Sequence, residues 1–296
     1  MTAATSRSWN PQLEFMHLDA LTDVTAGRAD VVIGLIDGPV DITHPDLDAG
    51  RVNAASGIDA SCALGGDACL HGTFVAGILS ARRGTAAPAV CPGCTLLVRP
   101  IFTGTDVAIG ELRATSEDLA AAIVDCIDGG AHLINISAAL VGSSVSGQRA
   151  LVNALDLAAR RDVPVFAAAG NNGLVGGTAI TRHGWVCPVV AYSDTGIPLA
   201  RSDAGRSIGR HGLGALGHDV TSLRSGGGYL TASGTSVATA FVTGAAALIW
   251  SAVPDATGMA VRSALAGGVN SPRRGIVPPL LDAWSSYRQL AAHGGR

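Results

Sequence analysis

Charged and aromatic residues are scarce in this sequence of 296 residues. Charged residues make up 15% of the chain and aromatic residues 4%, and lysine is absent, so that all 20 cationic residues are arginines. The formal net charge is −3. Because a chain without a basic excess offers no broad surface for nucleic acid, we expect no nucleic-acid partner. The 48% of hydrophobic residues predicts a globular protein with a sizeable core.

Long apolar runs are also missing. The apolar run from Ala245 to Trp250 is far shorter than the roughly 20 residues that a membrane-spanning helix needs. Residues 1–8 lack the basic start and the apolar stretch of a secretory signal. We therefore expect a cytoplasmic protein with no membrane partner.

Cysteine is limited to six residues, which differ in their surroundings. Cys126 and Cys187 lie in apolar segments and are predicted to be buried thiols. The other four form two close pairs, Cys62 with Cys69 and Cys91 with Cys94. A structural zinc site needs four ligands, so the lone Cys-x-x-Cys motif is weak evidence for metal. A local disulfide bond and two reduced thiols both stay open for each pair.

Short runs rich in Val and Ile alternate with amphipathic stretches, which is typical of an α/β fold with a mainly parallel sheet flanked by helices. The predicted strands are residues 31–36, 96–101, 132–137, 164–169 and 186–191. The predicted helices are residues 71–82, 116–127, 147–160, 236–251 and 256–266, with a surface loop at 267–279 before a last short helix. Since no repeat or linker interrupts the pattern, we expect one domain over 1–296, with its core at about 31–251 and C-terminal helices and a loop at 252–296.

Four polar residues stand where predicted strands end or helices begin: Asp37, His71, Asn171 and Ser236. Each alone has an ordinary explanation, namely a turn residue, a capping or core histidine, a left-handed turn, and a helix cap. Together they supply an acid, a base, an amide and a nucleophile, which are the parts needed for acyl transfer through serine. The chain order Asp, His, Ser is informative too, because unrelated serine hydrolases use other orders.

The spacing around these residues suits that chemistry. A serine hydroxyl needs a base within hydrogen-bond reach, and Ser236 would lie at a helix N-terminus whose N–H groups favour a developing oxyanion. Gly234 would let a substrate backbone approach closely. The side-chain N–H of Asn171 could complete an oxyanion hole.

The motifs resemble those of the subtilisin-like serine peptidases, the subtilases, from about Val31 to Trp250. The matching strings are Ile36-Asp37-Gly38, His44-Pro45-Asp46-Leu47, His71-Gly72-Thr73, Ala169-Gly170-Asn171-Asn172-Gly173 and Gly234-Thr235-Ser236. The resemblance implies a three-layer subtilisin-like fold and peptide-bond hydrolysis. It implies that Asp37 orients His71, that His71 is the general base, that Ser236 is the nucleophile and that Asn171 is the oxyanion donor. The residues implied in substrate binding are Ser137, Ala138, Ala139 and Gly170.

Within this family, the chain is similar to the peptidases that mature ribosomally made peptides, especially the cyanobactin type. The similar strings are Asp37-Gly38-Pro39-Val40-Asp41, Arg99-Pro100-Ile101-Phe102 and the stretch from Gly130 to Ser137. The resemblance implies an endopeptidase that processes a precursor peptide. Two alternatives stay open: an acyl transferase that closes a macrocycle on the same scaffold, and a non-catalytic peptide-binding module. The intact set of four polar residues argues against the second.

Three departures from the family pattern matter. Secreted subtilases usually carry a calcium loop after the histidine helix, but the segment from Ser80 to Pro92 offers almost no side-chain oxygen ligands, so we expect no metal there and no cofactor. Ser137-Ala138-Ala139 stands where glycines often follow the serine, and the methyl groups would narrow the adjoining subsite while an extended substrate still pairs through its backbone. Ala240 stands where a proline is usual, away from the reacting atoms.

Overall fold

The computed structural model of the protein describes residues 11–102, 113–140, 144–268 and 275–293. The helices are α1 Pro11–Glu14, α2 Leu18–Val24, α3 Asp67–Ser80, α4 Ser116–Asp128, α5 Val145–Arg160, α6 Ala179–Arg182, α7 Arg206–His211, α8 Thr235–Ala252, α9 Gly258–Gly267 and α10 Ala283–His293, with a 3-10 turn at Ala49–Arg51. The strands are β1 Val32–Asp37, β2 Val52–Ala54, β3 Thr95–Pro100, β4 Arg113–Ala114, β5 Leu133–Ile136, β6 Ala139–Leu140, β7 Val165–Ala168, β8 Val186–Tyr192, β9 Leu213–Leu216, β10 Val220–Leu223 and β11 Tyr229–Ala232.

A seven-stranded sheet in the order β2-β3-β1-β5-β7-β8-β9 forms the centre of the fold, and each neighbouring pair is parallel. From β5 the chain builds outward through β7, β8 and β9 on one side, whereas β2 and β3 lie on the other side of β1. The strand order therefore reverses between these two strands, and parallel sheets place ligands at the carboxyl ends of strands at such a point. Asp37 ends β1 at this point, and Ser137 directly follows β5.

Helices cover both faces of the sheet. Successive side chains of each strand point to opposite faces, and they are apolar on both. In β1, Ile33 and Leu35 join the apolar cluster formed with α3, α8 and α9, whereas Ile36 joins the cluster formed with α4 and α5. Burial on both faces explains why the central strands are continuous apolar runs rather than alternating ones. The predicted three-layer α/β fold is confirmed.

Helix α8 is apolar around its whole circumference because it lies inside the protein. It contacts β5, β7, β8 and β9 across one face of the sheet. By length and composition alone it could cross a membrane, but it is 94% buried within the fold, and core helices pass the same test.

The five predicted sheet strands are confirmed, and each differs from the observed strand by at most a few residues at its ends. The predicted start of the histidine helix at His71 is wrong, because α3 begins at Asp67 and ends at Ser80. Gly66 adopts an extended conformation before the helix, and the acidic Asp67 in the first turn suits the positive end of the helix dipole. The last short helix is confirmed as α10, while 269–274 of the predicted loop lie outside the described residues.

The cysteines separate into one disulfide bond and four thiols. Cys62 and Cys69 are joined, which ties the preceding loop to the first turn of α3. Cys91, Cys94, Cys126 and Cys187 are buried thiols outside the disulfide bond, so the predictions for the last two are confirmed. Burial raises the pKa of the Cys126 thiol to about 12, which makes it an unreactive core residue.

Candidate active site

Asp37 and His71 form a short hydrogen bond at the carboxyl end of β1. Asp37 is fully buried, and its Oδ1 lies 2.6 Å from His71 Nδ1 and accepts a second bond of 2.6 Å from the backbone N–H of Gly38. The other oxygen, Oδ2, has no hydrogen-bond partner among the described residues. The buried carboxylate is thus directed mainly at the histidine, which is the arrangement that fixes one tautomer and stabilises the charged imidazole.

Two glycines allow this approach, because α3 packs directly against the chain that leaves β1. A Cβ atom on Gly72 would lie 2.3 Å from the carbonyl oxygen of Gly38, and one on Gly38 would lie 1.8 Å from the carbonyl oxygen of Ala68. Both contacts are with backbone atoms that cannot move aside cheaply. Gly38 and Gly72 therefore set the distance between the aspartate and the histidine.

Burial and the contact with Asp37 have opposite effects on the pKa of His71. Burial alone would lower this pKa, but the negative charge of Asp37 and its hydrogen bond outweigh burial, so the pKa lies above its ordinary value of 6.5. The imidazole is therefore a stronger base than a free histidine. It can accept a proton from a hydroxyl group and remain stabilised while it carries the charge.

Ser236 lies in the first turn of α8, as the sequence predicts. Gly234 precedes the helix in an extended conformation, and Thr235 is the first helical residue. The first N–H groups of a helix have no partner within it, and the helix dipole is positive there. The eighteen residues of α8 thus present Ser236 on a helix end that favours negative charge nearby.

The orientation of Asn171 is fixed by Thr235. The side-chain oxygen of Asn171 accepts bonds of 2.9 Å from the backbone N–H of Thr235 and of 3.1 Å from its hydroxyl group. With the oxygen held in this way, the amide nitrogen faces away from Thr235 and can donate to a ligand. The neighbouring loop is held by Asp203, whose Oδ1 accepts from the backbone N–H groups of Asn172 and Leu174 at 3.0 and 2.9 Å.

His71, Asn171 and Ser236 line a single pocket, with Asp37 behind the histidine. The structure therefore brings together the four residues that the motifs singled out. The remaining lining residues come from α3, β11, α8 and the loops beside them: Leu70, Phe74, Arg201, Leu230, Ala232, Ser233, Gly234 and Val237. Apart from Gly234, sequence reasoning missed these residues, because they belong to segments that only the fold brings together.

Ser137 makes structural contacts at the end of β5. Its hydroxyl oxygen accepts a bond of 2.8 Å from the side chain of Asn135, whose oxygen accepts one of 2.9 Å from Thr243 in α8. This buried polar chain joins the sheet to the helix that carries the serine. Ser137 and Ala138 are both buried, and neither lines the pocket.

Of the other two residues predicted to bind substrate, Gly170 is not among the residues that line the pocket. Ala139 belongs to β6, whose backbone pairs in parallel with β4, and the side chain of Ala139 lies outside the described part of the chain. Gly170 precedes Asn171 with a φ of 119°, and a Cβ atom there would lie 2.1 Å from Asp203 Oδ2. Glycine is therefore required for the loop itself, and substrate binding by these four residues stays a prediction.

The residues after the histidine helix do not fit a calcium ion. The backbone oxygen of Asp46 accepts from the N–H of Arg82 in that segment, and its side chain accepts a bond of 2.5 Å from the Tyr229 hydroxyl group. The described residues contain no group of three or more acidic, histidine or cysteine side chains able to hold a metal ion. A calcium site needs six to eight oxygen ligands, which this segment does not supply.

Comparison with known proteins agrees with this geometry. The sequence matches the Subtilase family over residues 28–271. It is 32% identical over 236 residues to a thermophilic serine proteinase of Bacillus sp. (strain AK1), covering 79% of this chain and 55% of that protein. The chain thus spans about half the length of this curated relative.

Two solved structures are similar over nearly their whole lengths. A mutant of the protease domain of PatA is 30% identical, with a TM-score of 0.79 and coverage of 90% of this chain and 97% of that one. The prenylagaramide maturation protease PagA is 26% identical, with a TM-score of 0.81 and coverage of 92% and 98%. The family match over residues 28–271 and the parallel sheet shared with these structures lead to one conclusion: the chain belongs to the subtilase family.

Proposed function

We propose that the protein is a serine endopeptidase that uses Asp37, His71 and Ser236 as a catalytic triad and Asn171 as an oxyanion donor. The observation that carries this proposal is the bond of 2.6 Å between a fully buried Asp37 and His71, whose ring lines the same pocket as Ser236 and Asn171. A histidine with only a structural role in the core is not expected to line a pocket together with a serine at a helix start and an oriented amide.

The proposed reaction follows from the position of each group. Ser236 Oγ attacks the carbonyl carbon of the substrate while His71 takes the hydroxyl proton, and Asp37 stabilises the resulting imidazolium. The carbonyl oxygen becomes negative and accepts hydrogen bonds from the Asn171 side chain and from the N–H of Ser236. The C–N bond then breaks as His71 gives its proton to the leaving amine. Water, activated by His71, releases the acyl group as a carboxylic acid and restores Ser236.

The proposed substrate is a ribosomally made precursor peptide. Support comes from PatA and PagA, since PagA is a maturation protease and the protease domain of PatA shares 30% identity with this chain. The cytoplasmic location stays a prediction. The Cys62–Cys69 disulfide bond does not favour it, since such bonds are more typical of oxidising compartments.

The catalytic proposal can be tested by labelling with a serine-directed fluorophosphonate. We expect the unmutated protein to be labelled at Ser236 and the Ser236→Ala variant to stay unlabelled. Ser263→Ala serves as a matched control, because Ser263 is exposed on α9, outside the pocket. An unmutated protein that takes up no label would contradict a reactive serine at this site.

Hydrolysis and acyl transfer are then separated by product masses. With a linear peptide substrate, hydrolysis gives two fragments whose summed mass exceeds that of the substrate by one water. Macrocyclisation gives a cyclic product in which the leaving segment is released but no water is added to the acyl part. We expect the hydrolytic masses, and predominantly cyclic products would contradict the endopeptidase proposal.

A further inference from the structure

The pocket beside Ser236 is lined by His71 and by neighbouring residues of α3. A triad histidine protonates the leaving amine, so the segment after the scissile bond lies next to the histidine. Helix α3 supplies Leu70 and Phe74 to the pocket on either side of His71. The residues expected to bind the other part of the substrate, Ser137 and Ala138 among them, do not line it.

Most of this pocket is apolar, and Arg201 is the one permanently charged residue among those that line it. The walls are formed by apolar side chains of α3, β11 and α8, namely Leu70, Phe74, Leu230, Ala232 and Val237. Asp219, whose carboxylate accepts from the Ser233 hydroxyl group, does not line the pocket. A substrate segment in the pocket therefore meets a single fixed charge, which is positive.

Among the described residues, no carboxylate pairs with the Arg201 guanidinium. Arg201 is exposed, and its backbone oxygen accepts a bond of 2.8 Å from the N–H of Gly173, which fixes it beside the loop that carries Asn171. The carboxylate of Asp203, two residues further along the chain, accepts from the backbone N–H groups of that loop. The backbone of Arg201 is thus held in place, and its guanidinium group is available to bind a ligand.

We propose that Arg201 selects substrates that carry a carboxylate within the first few residues after the scissile bond. This inference rests on the proposed endopeptidase function and specifies the substrate class of the same site. The carboxylate is that of an acidic side chain or that of a free C-terminus, and both suit the planar guanidinium, which can donate two parallel hydrogen bonds. Because Arg201 is exposed, solvent screens the pair, and we expect a preference of about tenfold in kcat/KM.

The test uses synthetic peptides randomised on both sides of the cleaved bond, with cleavage sites identified by mass spectrometry. For the unmutated protein we expect enrichment, after the scissile bond, either of Asp and Glu over Asn and Gln or of cleavage sites close to the free C-terminus. In Arg201→Gln the enrichment should disappear, and in Arg201→Glu it should change to Arg and Lys. The same library with amidated C-termini distinguishes the two sources of the carboxylate. A preference for a free C-terminus is lost on amidation, whereas a preference for acidic side chains is kept.

Controls separate this inference from the proposed function. Arg210→Gln removes another exposed arginine, on α7 and outside the pocket, and should keep the acidic preference. Fluorophosphonate labelling does not involve the peptide leaving segment, so it tests the reactivity of Ser236 separately from the role of Arg201. Suppose that the protein is labelled but its cleavage sites show no preference for acidic residues or for a free C-terminus, or that the preference persists in Arg201→Gln. Either result would overturn the role of Arg201 and leave the catalytic proposal intact. Absence of labelling would instead overturn the catalytic proposal.

Discussion

At the scale of single residues, the site depends on how one buried carboxylate is used. Asp37 Oδ1 holds both His71 and the N–H of Gly38, and Asp37 Oδ2 has no partner within the described chain. A buried charge with so few partners gains most when the facing imidazole is protonated. The same contact that orients His71 therefore also raises its pKa.

This raised pKa predicts a specific pH dependence. His71 acts as a base only when it is neutral, so kcat/KM should increase with pH through a pKa above the ordinary value of 6.5. In Asp37→Asn, burial is no longer opposed by the carboxylate, so this step should move to lower pH. The same change should lower kcat about 10⁴-fold, which is the loss in the chymotrypsin example from which the figure comes.

The measurement is the rate constant of fluorophosphonate labelling between pH 5 and pH 9, which stays observable when turnover is slow. Ser263→Ala should reproduce the unmutated profile. A step at or below pH 6.5 in the unmutated protein, or an unchanged step in Asp37→Asn, would show that Asp37 does not control the charge of His71.

The residues of the site differ in how well the sequence reveals them. Asp37, His71, Asn171 and Ser236 each lie in a short motif beside a strand end or a helix start, so local pattern is enough to find them. Arg201 lies in a loop with no motif of its own, and only the fold places it near Ser236. Residues that act through long-range contacts leave no periodic signal in the chain.

At the scale of elements, the same contrast holds for strands. The five predicted strands are short apolar runs, each with Val or Ile, that are buried on both faces, and that burial produces the signal. β9 has the sequence Leu-Gly-Ala-Leu, and β2 has three residues, so neither carries enough pattern to be predicted. The sequence places the start of α3 too late, because His71 opens the recognisable motif, whereas the helix begins at Asp67 after Gly66.

The packing of α3 against β1 predicts the effect of Gly72→Ala. The added Cβ would lie 2.3 Å from the Gly38 carbonyl oxygen, so α3 must shift away from the end of β1. Overpacking of this kind costs about 1–3 kcal/mol, and the shift lengthens the Asp37–His71 bond. We expect a lower melting temperature and slower labelling of Ser236.

Gly184→Ala is the matched control for this change. A Cβ atom on Gly184 meets nothing within 4 Å, so its melting temperature and labelling rate should stay unchanged. If Gly72→Ala matched this control in both measurements, close packing of α3 could not be what sets the catalytic distance.

At the scale of the whole molecule, sheet topology explains why distant motifs meet. β1 and β5 lie side by side where the strand order reverses, and α3 and α8 pack together on one face of the sheet. Asp37, His71 and Ser236 reach the same edge because a strand end and two helix N-terminal regions converge there. Each motif was readable in the sequence, but their convergence depends on pairing between segments far apart in the chain.

The whole fold is predicted to be stable without calcium. An ion that binds only the folded state stabilises it by RT ln(1 + c/Kd), where c is the free ion concentration, so removing the ion lowers the melting temperature. Here Asp46 is held by the Tyr229 hydroxyl group at 2.5 Å, and the segment 80–92 supplies few side-chain oxygens. We therefore expect the same melting temperature, measured by calorimetry, in excess EDTA and in excess calcium chloride.

Tyr229→Phe provides the matched variant, because it removes only the hydroxyl group that bonds Asp46. The lost bond, partly screened by solvent, should cost about 0.5–1 kcal/mol, or about 2 °C in melting temperature. This decrease should be equal with and without EDTA, since no ion takes the place of the hydroxyl group. If EDTA lowered the melting temperature of the unmutated protein by several degrees, a stabilising cation would be required. The hydrogen bond between Tyr229 and Asp46 would then not account for the stability of this region.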